Sequence, residues 1–317
     1  MQIAVRTLQN LVAIALLIIA PTICAELQPS YWSKTTAILD QIAKLEGIDR
    51  TLLTSQLLLG TPYKLFPLGE GVSTEFANKP MYSLSAFDCL TFIETTLALS
   101  FSHTTEKVLT TLADIRYHDQ KHNFANRNHF MSTEWNYYNQ KKGYITDITT
   151  KIYDNQYKPI YKTVQTTINK PAWLEFLAYH PAIIAKYTDN HDKYPAIKNT
   201  LLTYATQSRP KIAKTAYIEV DSLTNSSGKV NTAIYKQLPK IFIVEIVRKN
   251  WGLANKIGTE IEISHVGFGI KSSQGLIFRH ASETHGTVVD VPLAEYLTRQ
   301  AKQKSFAGIN IEAINIK

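Results

Sequence analysis

Cysteine is scarce in this chain: two occur among 317 residues, Cys24 and Cys89. Cys24 falls in an N-terminal stretch that reads as a secretory signal peptide. Arg6 is the only charge before an apolar run from Leu11 to Ala20, closed by Pro21-Thr22-Ile23-Cys24-Ala25. The expectation is that residues 1–25 are removed and the remainder is exported, to the periplasm or the medium. A lipid anchor on Cys24 is disfavoured, because Ile23 stands where lipoprotein signals carry a small residue. Cleavage leaves Cys89 without an internal disulfide partner, in a compartment where an idle thiol is liable to oxidation. An unpaired cysteine in an exported protein calls for a functional explanation. The competing reading is a buried thiol acting as a small hydrophobe.

Other absences narrow the field further. The apolar run is shorter than the roughly 20 residues a transmembrane helix needs, so no stable span is expected once the signal is gone. With 19% charged residues the chain is too polar for a multi-span membrane protein. It has no Gly/Ser-rich or Pro-rich linker and no internal repeat, so residues 26–317 read as a single domain. The net charge is +8 and the sequence pI about 9.2, which favours partners bearing carboxylates or phosphates. The basic residues are dispersed, without the dense block of a nucleic-acid surface, so no nucleic-acid partner is expected.

Helical spacing runs through Tyr31–Leu45, Thr51–Leu59, Cys89–Phe101 and Glu106–Tyr117, with a Gly- and Pro-punctuated loop from Thr61 to Pro80. Residues 120–170 are rich in Asn, Thr, Tyr and Lys and weakly periodic. Pro171–Lys186 and Ala196–Gln207 read as helices within a mostly helical insertion at about 145–215. Strands follow at Tyr217–Val220, Ile241–Val247, Ile261–Ile270, Leu276–Ala281, Thr287–Val291 and Ile309–Ile316, with a late helix at Pro292–Gln300. Helices first and strands afterwards indicate an α+β fold, with N-terminal helices packed on an antiparallel sheet.

Within Phe87-Asp88-Cys89-Leu90-Thr91, either Ser85 or Asp88 caps the helix, which puts Cys89 in its first turn. Unpaired N–H groups there favour a thiolate and lower the thiol pKa. A base is needed next. The hairpin Ile263–Ile270 and Leu276–Ala281 supplies His265 and His280, which face each other if the turn is centred between Ser272 and Ser273. His265 then exchanges a proton with Cys89, and His280 holds the far nitrogen of His265. Gly267 and Gly269 leave room on the same face for another element to approach.

Gly60-Thr61-Pro62-Tyr63, Phe87-Asp88-Cys89, His265-Val266-Gly267 and Arg279-His280-Ala281-Ser282 resemble the NlpC-type papain-like peptidases of bacterial cell walls. Asp88-Cys89-Leu90-Thr91-Phe92-Ile93-Glu94, with Ile115-Arg116-Tyr117 and Arg127-Asn128-His129-Phe130, looks like the N-acetylmuramoyl-L-alanine amidase-like branch. The resemblance runs from about Leu52 to the C-terminus, with 145–215 poorly matched. It implies a papain-like fold, no cofactor, peptidoglycan or muropeptides as partner, and catalysis by Cys89, His265 and His280. It also implies that Tyr63 helps hold the oxyanion and that Asp88, Arg127, Asn128, His129 and Ser264 lie on the substrate path. Leu90 stands where stem-cutting relatives carry a small Ser, which favours the amidase reaction over a γ-D-glutamyl stem endopeptidase. A non-catalytic wall-binding protein would not need the cysteine together with both histidines.

His118-Asp119-Gln120-Lys121-His122 has the i, i+4 histidine spacing of a zinc helix. Its Asp119 is a methylene shorter than the glutamate of zinc proteases, and no third ligand stands out. A solvated helix end is the preferred reading, and no metal site is expected.

Overall fold

The computed structural model describes residues 29–70, 79–119, 121–185, 191–224 and 230–316. The signal segment 1–25 and part of the loop before Pro80 therefore lie outside the described residues. The fold is mixed α+β, built on one antiparallel sheet. Its eight strands are β1 (Ile145–Asp147), β2 (Tyr161–Ile168), β3 (Lys211–Ile218), β4 (Ile241–Arg248), β5 (Ile263–Ser272), β6 (Gly275–Ser282), β7 (Thr287–Pro292) and β8 (Phe306–Ile314). The order is β2-β3-β8-β4-β5-β6-β7, and β1 pairs with the far end of β8.

The central strands are buried on both faces. One face sets Ile241, Ile243, Val266, Phe268 and Ile270 against α1 (Pro29–Ile42), α2 (Ile48–Leu57), α3 (Cys89–Ser100) and α4 (Thr105–Arg116). Ten of the twelve residues of α3 are buried, so it runs as a core helix through this layer. The opposite face sets Phe242, Val244, Ile246 and Phe278 beneath a late amphipathic helix through Leu293, Tyr296 and Leu297. A π-helical turn, Met131–Asn136, leads into α5 (Tyr137–Lys141).

The segment 145–215 is helical in α6 (Lys170–Ala178) and α7 (Tyr194–Gln207), as expected, but it also contributes β1, β2 and most of β3. The expected helix Pro171–Lys186 breaks after Ala178, and a separate short turn begins at Pro181. Proline there removes a backbone donor and clashes with the preceding turn. Helix α8 (Leu293–Ala301) closes the sheet on its other side. Among the described residues no helix is long and apolar enough to cross a membrane.

Candidate active site

The chain places Cys89 through two short-range devices. Asp88 caps α3: its Oδ1 accepts from the Thr91 amide at 2.8 Å, and the Thr91 hydroxyl accepts from the Asp88 amide at 2.9 Å. Ser85, the other candidate cap, bonds the Ser83 hydroxyl at 2.8 Å instead. The second carboxylate oxygen of Asp88 accepts from the Phe66 amide at 3.2 Å, which ties the preceding loop to the helix start. The loop itself is stitched on both sides. Tyr63 donates its amide to the Gly286 carbonyl, and the amides of Phe87 and Lys64 are received by Pro62 and Phe87. Tyr63 is thereby held beside the entrance to α3. Burial, then Glu283, Cys89 and Asp88, push its phenol up to about 12, so the hydroxyl stays a donor.

The half-buried Cys89 thiol faces the backbone N–H of Val266 on β5, as well as those of Cys89 and Leu90. It therefore lies against the peptide that joins His265 to Val266. This is where the β5–β6 ladder stops, its last pair being Phe268 and Arg279. His265 Nε2 and His280 Nδ1 are 2.8 Å apart, with their rings perpendicular. That bond leaves His265 Nδ1 as the nitrogen free for proton exchange. Among the described residues no hydrogen bond joins Cys89 to His265 directly.

Two expectations are corrected. The hairpin turn is centred between Ser273 and Gln274, since Ser272 pairs with Gly275. The Ser272 hydroxyl spans this turn, donating to the Gly275 carbonyl at 2.9 Å and accepting the Gln274 amide at 3.2 Å. Extending the register puts His280 level with Gly267, so the two histidines meet diagonally rather than face to face. The space left by Gly267 and Gly269 is taken by rings of adjacent strands: added Cβ atoms would lie 2.4 Å from the Phe278 and Phe242 rings respectively.

The second correction concerns charge. Burial, followed by the nearby Asp88 carboxylate, pushes the Cys89 thiol up to about 12 and outweighs the three amides that pull it down. Burial, then His280 and Arg248, lowers His265 to about 3. His280 falls to about 4 through burial, then His285 and Arg299. Burial thus favours the neutral forms of both the thiol and the imidazole.

The remaining expected substrate residues have partners within the fold. Ser264 accepts from Arg248 Nε at 3.0 Å and donates to the Ile246 carbonyl. Arg127 pairs with Glu70 at 3.3 Å. Burial alone would lower its pKa, but Glu70, helped by Tyr117, Glu94 and Asp88, raises it above the ordinary value. Asn128 is buried and donates to the Ile115 carbonyl at 3.2 Å. The His129 ring bonds the Phe124 carbonyl through Nε2 at 2.7 Å and packs against Trp173. The structure thus gives Asn128 a buried position and His129 a half-buried one. His118 and His122 do not share a helix face, because α4 ends at Arg116; they pack against Tyr138 and Tyr117.

Sequence reasoning missed two neighbours of the histidines. Tyr296 of α8 packs on both, at 5.3 Å from His280 and 6.1 Å from His265 between ring centroids. Arg248 is held by Ser264, Gln300 and Gln303 and makes no ion pair among the described residues. Its signal was the basic pair Arg248-Lys249 closing the largely apolar strand Ile241–Val247.

Residues 53–306 match the model of the AmiA-like family, described as N-acetylmuramoyl-L-alanine amidase-like. Protein LPG0564 of Legionella pneumophila is similar in structure with a TM-score of 0.84 and 32% identity, over 90% of this chain and 95% of that one. An N-acetylmuramoyl-L-alanine amidase of Bacteroides uniformis shares the fold at a TM-score of 0.57 and 18% identity, covering 84% of this chain and 98% of its own. A putative xylanase of Bacteroides fragilis does so at 0.55 and 20%, covering 82% and 99%. No curated protein matches the chain. The capped cysteine and the coupled histidines therefore sit in a chain that belongs to the N-acetylmuramoyl-L-alanine amidase-like family.

Proposed function

We propose that this protein is an exported cysteine amidase of NlpC-type, papain-like descent that cuts peptidoglycan between the lactyl group of muramic acid and L-alanine. The observation that carries the reading is the Cys89 sulfur against the His265–Val266 peptide, with His265 bonded to His280 at 2.8 Å. Family membership and the amidase-named fold neighbours support the substrate class.

The chemistry follows from the resting protonation. Because the thiol and imidazole both start neutral, the thiol proton passes to His265 Nδ1 as Sγ bonds the lactyl carbonyl carbon. This needs the tautomer in which His265 Nε2–H donates to His280 Nδ1. The carbonyl electrons move to oxygen, stabilised in this reading by the Cys89 amide and the Tyr63 hydroxyl. His265 returns the proton to the departing L-alanine amine, leaving a thioester on Cys89. Water then attacks the thioester by the same route in reverse. Burial, the largest influence on His265, keeps it unprotonated and so a base before attack.

Mass spectrometry of intact peptidoglycan and muropeptides, treated with mature protein beside Cys89→Ala, tests the reading. Free stem peptides beginning with L-alanine, absent with Cys89→Ala, are expected. Cuts within the stem would move the bond while keeping the thiol. Turnover by Cys89→Ala would overturn the mechanism.

A further inference from the structure

Strands β4 and β5 change register immediately before His265. Ile246 pairs with His265 and Val247 with Ile263, so Ser264 is an extra residue on β5. Packing records the jump. Ile263 joins the same core layer as Val266, Phe268 and Ile270, although strict alternation would put it on the opposite face. Without the extra residue, the Val247–Ile263 pair would set Ser264 against Ile246 and His265 against Glu245. A one-residue slip of this kind turns every side chain to the other face. The bulge therefore decides that His265 shares a face with Phe278, His280 and Tyr296. Bulges recur beside active sites because they re-aim a side chain.

One buried side chain pins this bulge. Arg248, the last residue of β4, is 6% exposed. Its Nε donates to Ser264 Oγ at 3.0 Å, and that hydroxyl donates to the Ile246 carbonyl at 3.2 Å. Ile246 is the partner of His265, so the hydroxyl spans the bulge from the extra residue to the strand opposite. The other side of the guanidinium grips α8 and the turn after it. Nη2 donates to Gln300 at 2.6 Å and Nη1 to Gln303 at 2.7 Å. Gln300 lies one helical turn beyond Tyr296 on the same side of α8. The Tyr296 ring lies over His265 at 6.1 Å, tilted 26° from parallel. Arg248 thus joins the residue that precedes His265 to the helix whose tyrosine covers it.

This arrangement is costly for filling space alone. A charge removed from water needs compensation, and Arg248 has only neutral oxygens for it, with the Trp251 and Phe306 rings at 5.4 and 5.9 Å. An apolar side chain would pack there without that cost. What arginine adds is a rigid planar fork that fixes several oxygens in set directions.

We propose that Arg248 and Ser264 are positioning residues: together they lock the β5 bulge and so hold His265 at the Cys89 junction and bonded to His280. The proposal rests on the cysteine-hydrolase reading above, and it moves Ser264 from the substrate path to the support of the base.

The test compares Ser264→Ala, Ser264→Thr and Arg248→Lys with the wild-type mature protein in two readouts. The first is the kinetics of stem-peptide release from purified muropeptides. Ser264→Ala is expected to lower kcat about 10–100-fold with KM within about twofold, because a misaimed base slows the chemistry without weakening binding. Ser264→Thr restores the hydroxyl and is expected to recover to within about threefold of wild type. Arg248→Lys keeps the charge but loses the fork, and is expected to fall as Ser264→Ala does. The second readout is NMR of isotope-labelled histidine side chains, which follows the proton shared by His265 Nε2 and His280 Nδ1 without any substrate. That proton is expected in wild type and Ser264→Thr and is expected to be lost in Ser264→Ala.

A raised KM with unchanged kcat in Ser264→Ala would overturn the proposal by returning Ser264 to substrate binding. Lower thermal stability with unchanged kcat and an unchanged imidazole proton would overturn it by leaving both residues a purely structural part. Full activity in Arg248→Lys would overturn it by placing the effect in charge instead of geometry. Circular dichroism on the same samples reports folding. Should Arg248→Lys not fold, the Ser264 pair decides, since it alters one half-buried hydroxyl. A wild type that releases no stem peptide would remove the amidase reading, and the shared imidazole proton would still decide the positioning.

Discussion

The sheet carries a buried titratable group on each of its faces, and the two groups reach neutrality by opposite routes. Beneath α8, His265 and His280 are held deprotonated, chiefly by burial. Beneath the π-helical turn, Glu245 and Glu312 are held towards the protonated form by burial, reinforced at Glu245 by Asp147 and Glu262 and at Glu312 by Glu245 and Asp147. Desolvation penalises charge of either sign, so it lowers a base and raises an acid. The histidines gain a nitrogen ready to take a proton. The carboxyls gain no such role, and nothing in the proposed reaction uses them.

The sharpest way to break this contrast is to disable each face in turn. Cys89→Ala and His265→Ala are expected to abolish release of stem peptides from peptidoglycan. Glu312→Gln should leave that release within about twofold, since amide for carboxyl is close to isosteric. Loss of turnover in Glu312→Gln would show that the acidic face takes part in the chemistry. His280→Ala should cost roughly 10–1000-fold in kcat/KM, because an imidazole freed to rotate loses its tautomer and aim. An unchanged rate would remove His280 from the proposed mechanism.

Reactivity of the resting thiol sharpens the comparison. Alkylation of Cys89 by iodoacetamide is expected to be slow at neutral pH and to climb with a midpoint above the roughly 8.5 of a free cysteine. A midpoint near 6 would mean that the helix amides outweigh burial after all.

The smallest effects lie in stability. The histidines have folded pKa values of about 3 and about 4, below the ordinary 6.5. Their contribution is complete above about 6.5 and is lost as pH falls through that window, because the unfolded chain takes up protons first. The carboxyls have raised values, so their contribution is present below about 4.5 and is lost as pH rises. Thermal unfolding followed against pH should therefore show Glu245→Gln/Glu312→Gln gaining a few degrees on the wild type at alkaline pH. His280→Phe should flatten the acid side. Parallel shifts at all pH values would mean that neither group is perturbed by folding.

The asymmetry between the faces was also legible to different degrees in the sequence. Cys89 behind a capping aspartate, and two histidines on neighbouring strands, are local signals, and the strands and helices around them fall within a few residues of the expected spans. The hairpin register was misjudged by two because the Ser272 hydroxyl, not hydrophobic alternation, sets the turn. The acidic face had no local signature. Asn136, Asp147, Glu245 and Asn310 are far apart in sequence, and only the pairing of β1, β4 and β8 assembles them. Strand β2 was overlooked because it lies at the end of the sheet and most of its residues are exposed or half-buried, so it lacks an apolar stripe. Arg127, Asn128 and His129 carry a family-like pattern, and in the fold they bond Glu70 and the Ile115 and Phe124 carbonyls.

Helix α3 is restrained at both ends. At its start the Asp88–Thr91 reciprocal cap fixes the first turn. At its end the buried Arg50 guanidinium gathers three carbonyls, those of Ser100 at the helix end, Ser102 just beyond it and Ile42 of α1. An α-helix that slips by one residue advances 1.5 Å and turns by about 100°. For a nucleophile at its first position, such a slip would aim the sulfur away from β5 altogether. The two end restraints act as an indexing mechanism: with the buried Glu94–Arg116 ion pair between them, they set the rotational phase of a helix that is buried nearly all round.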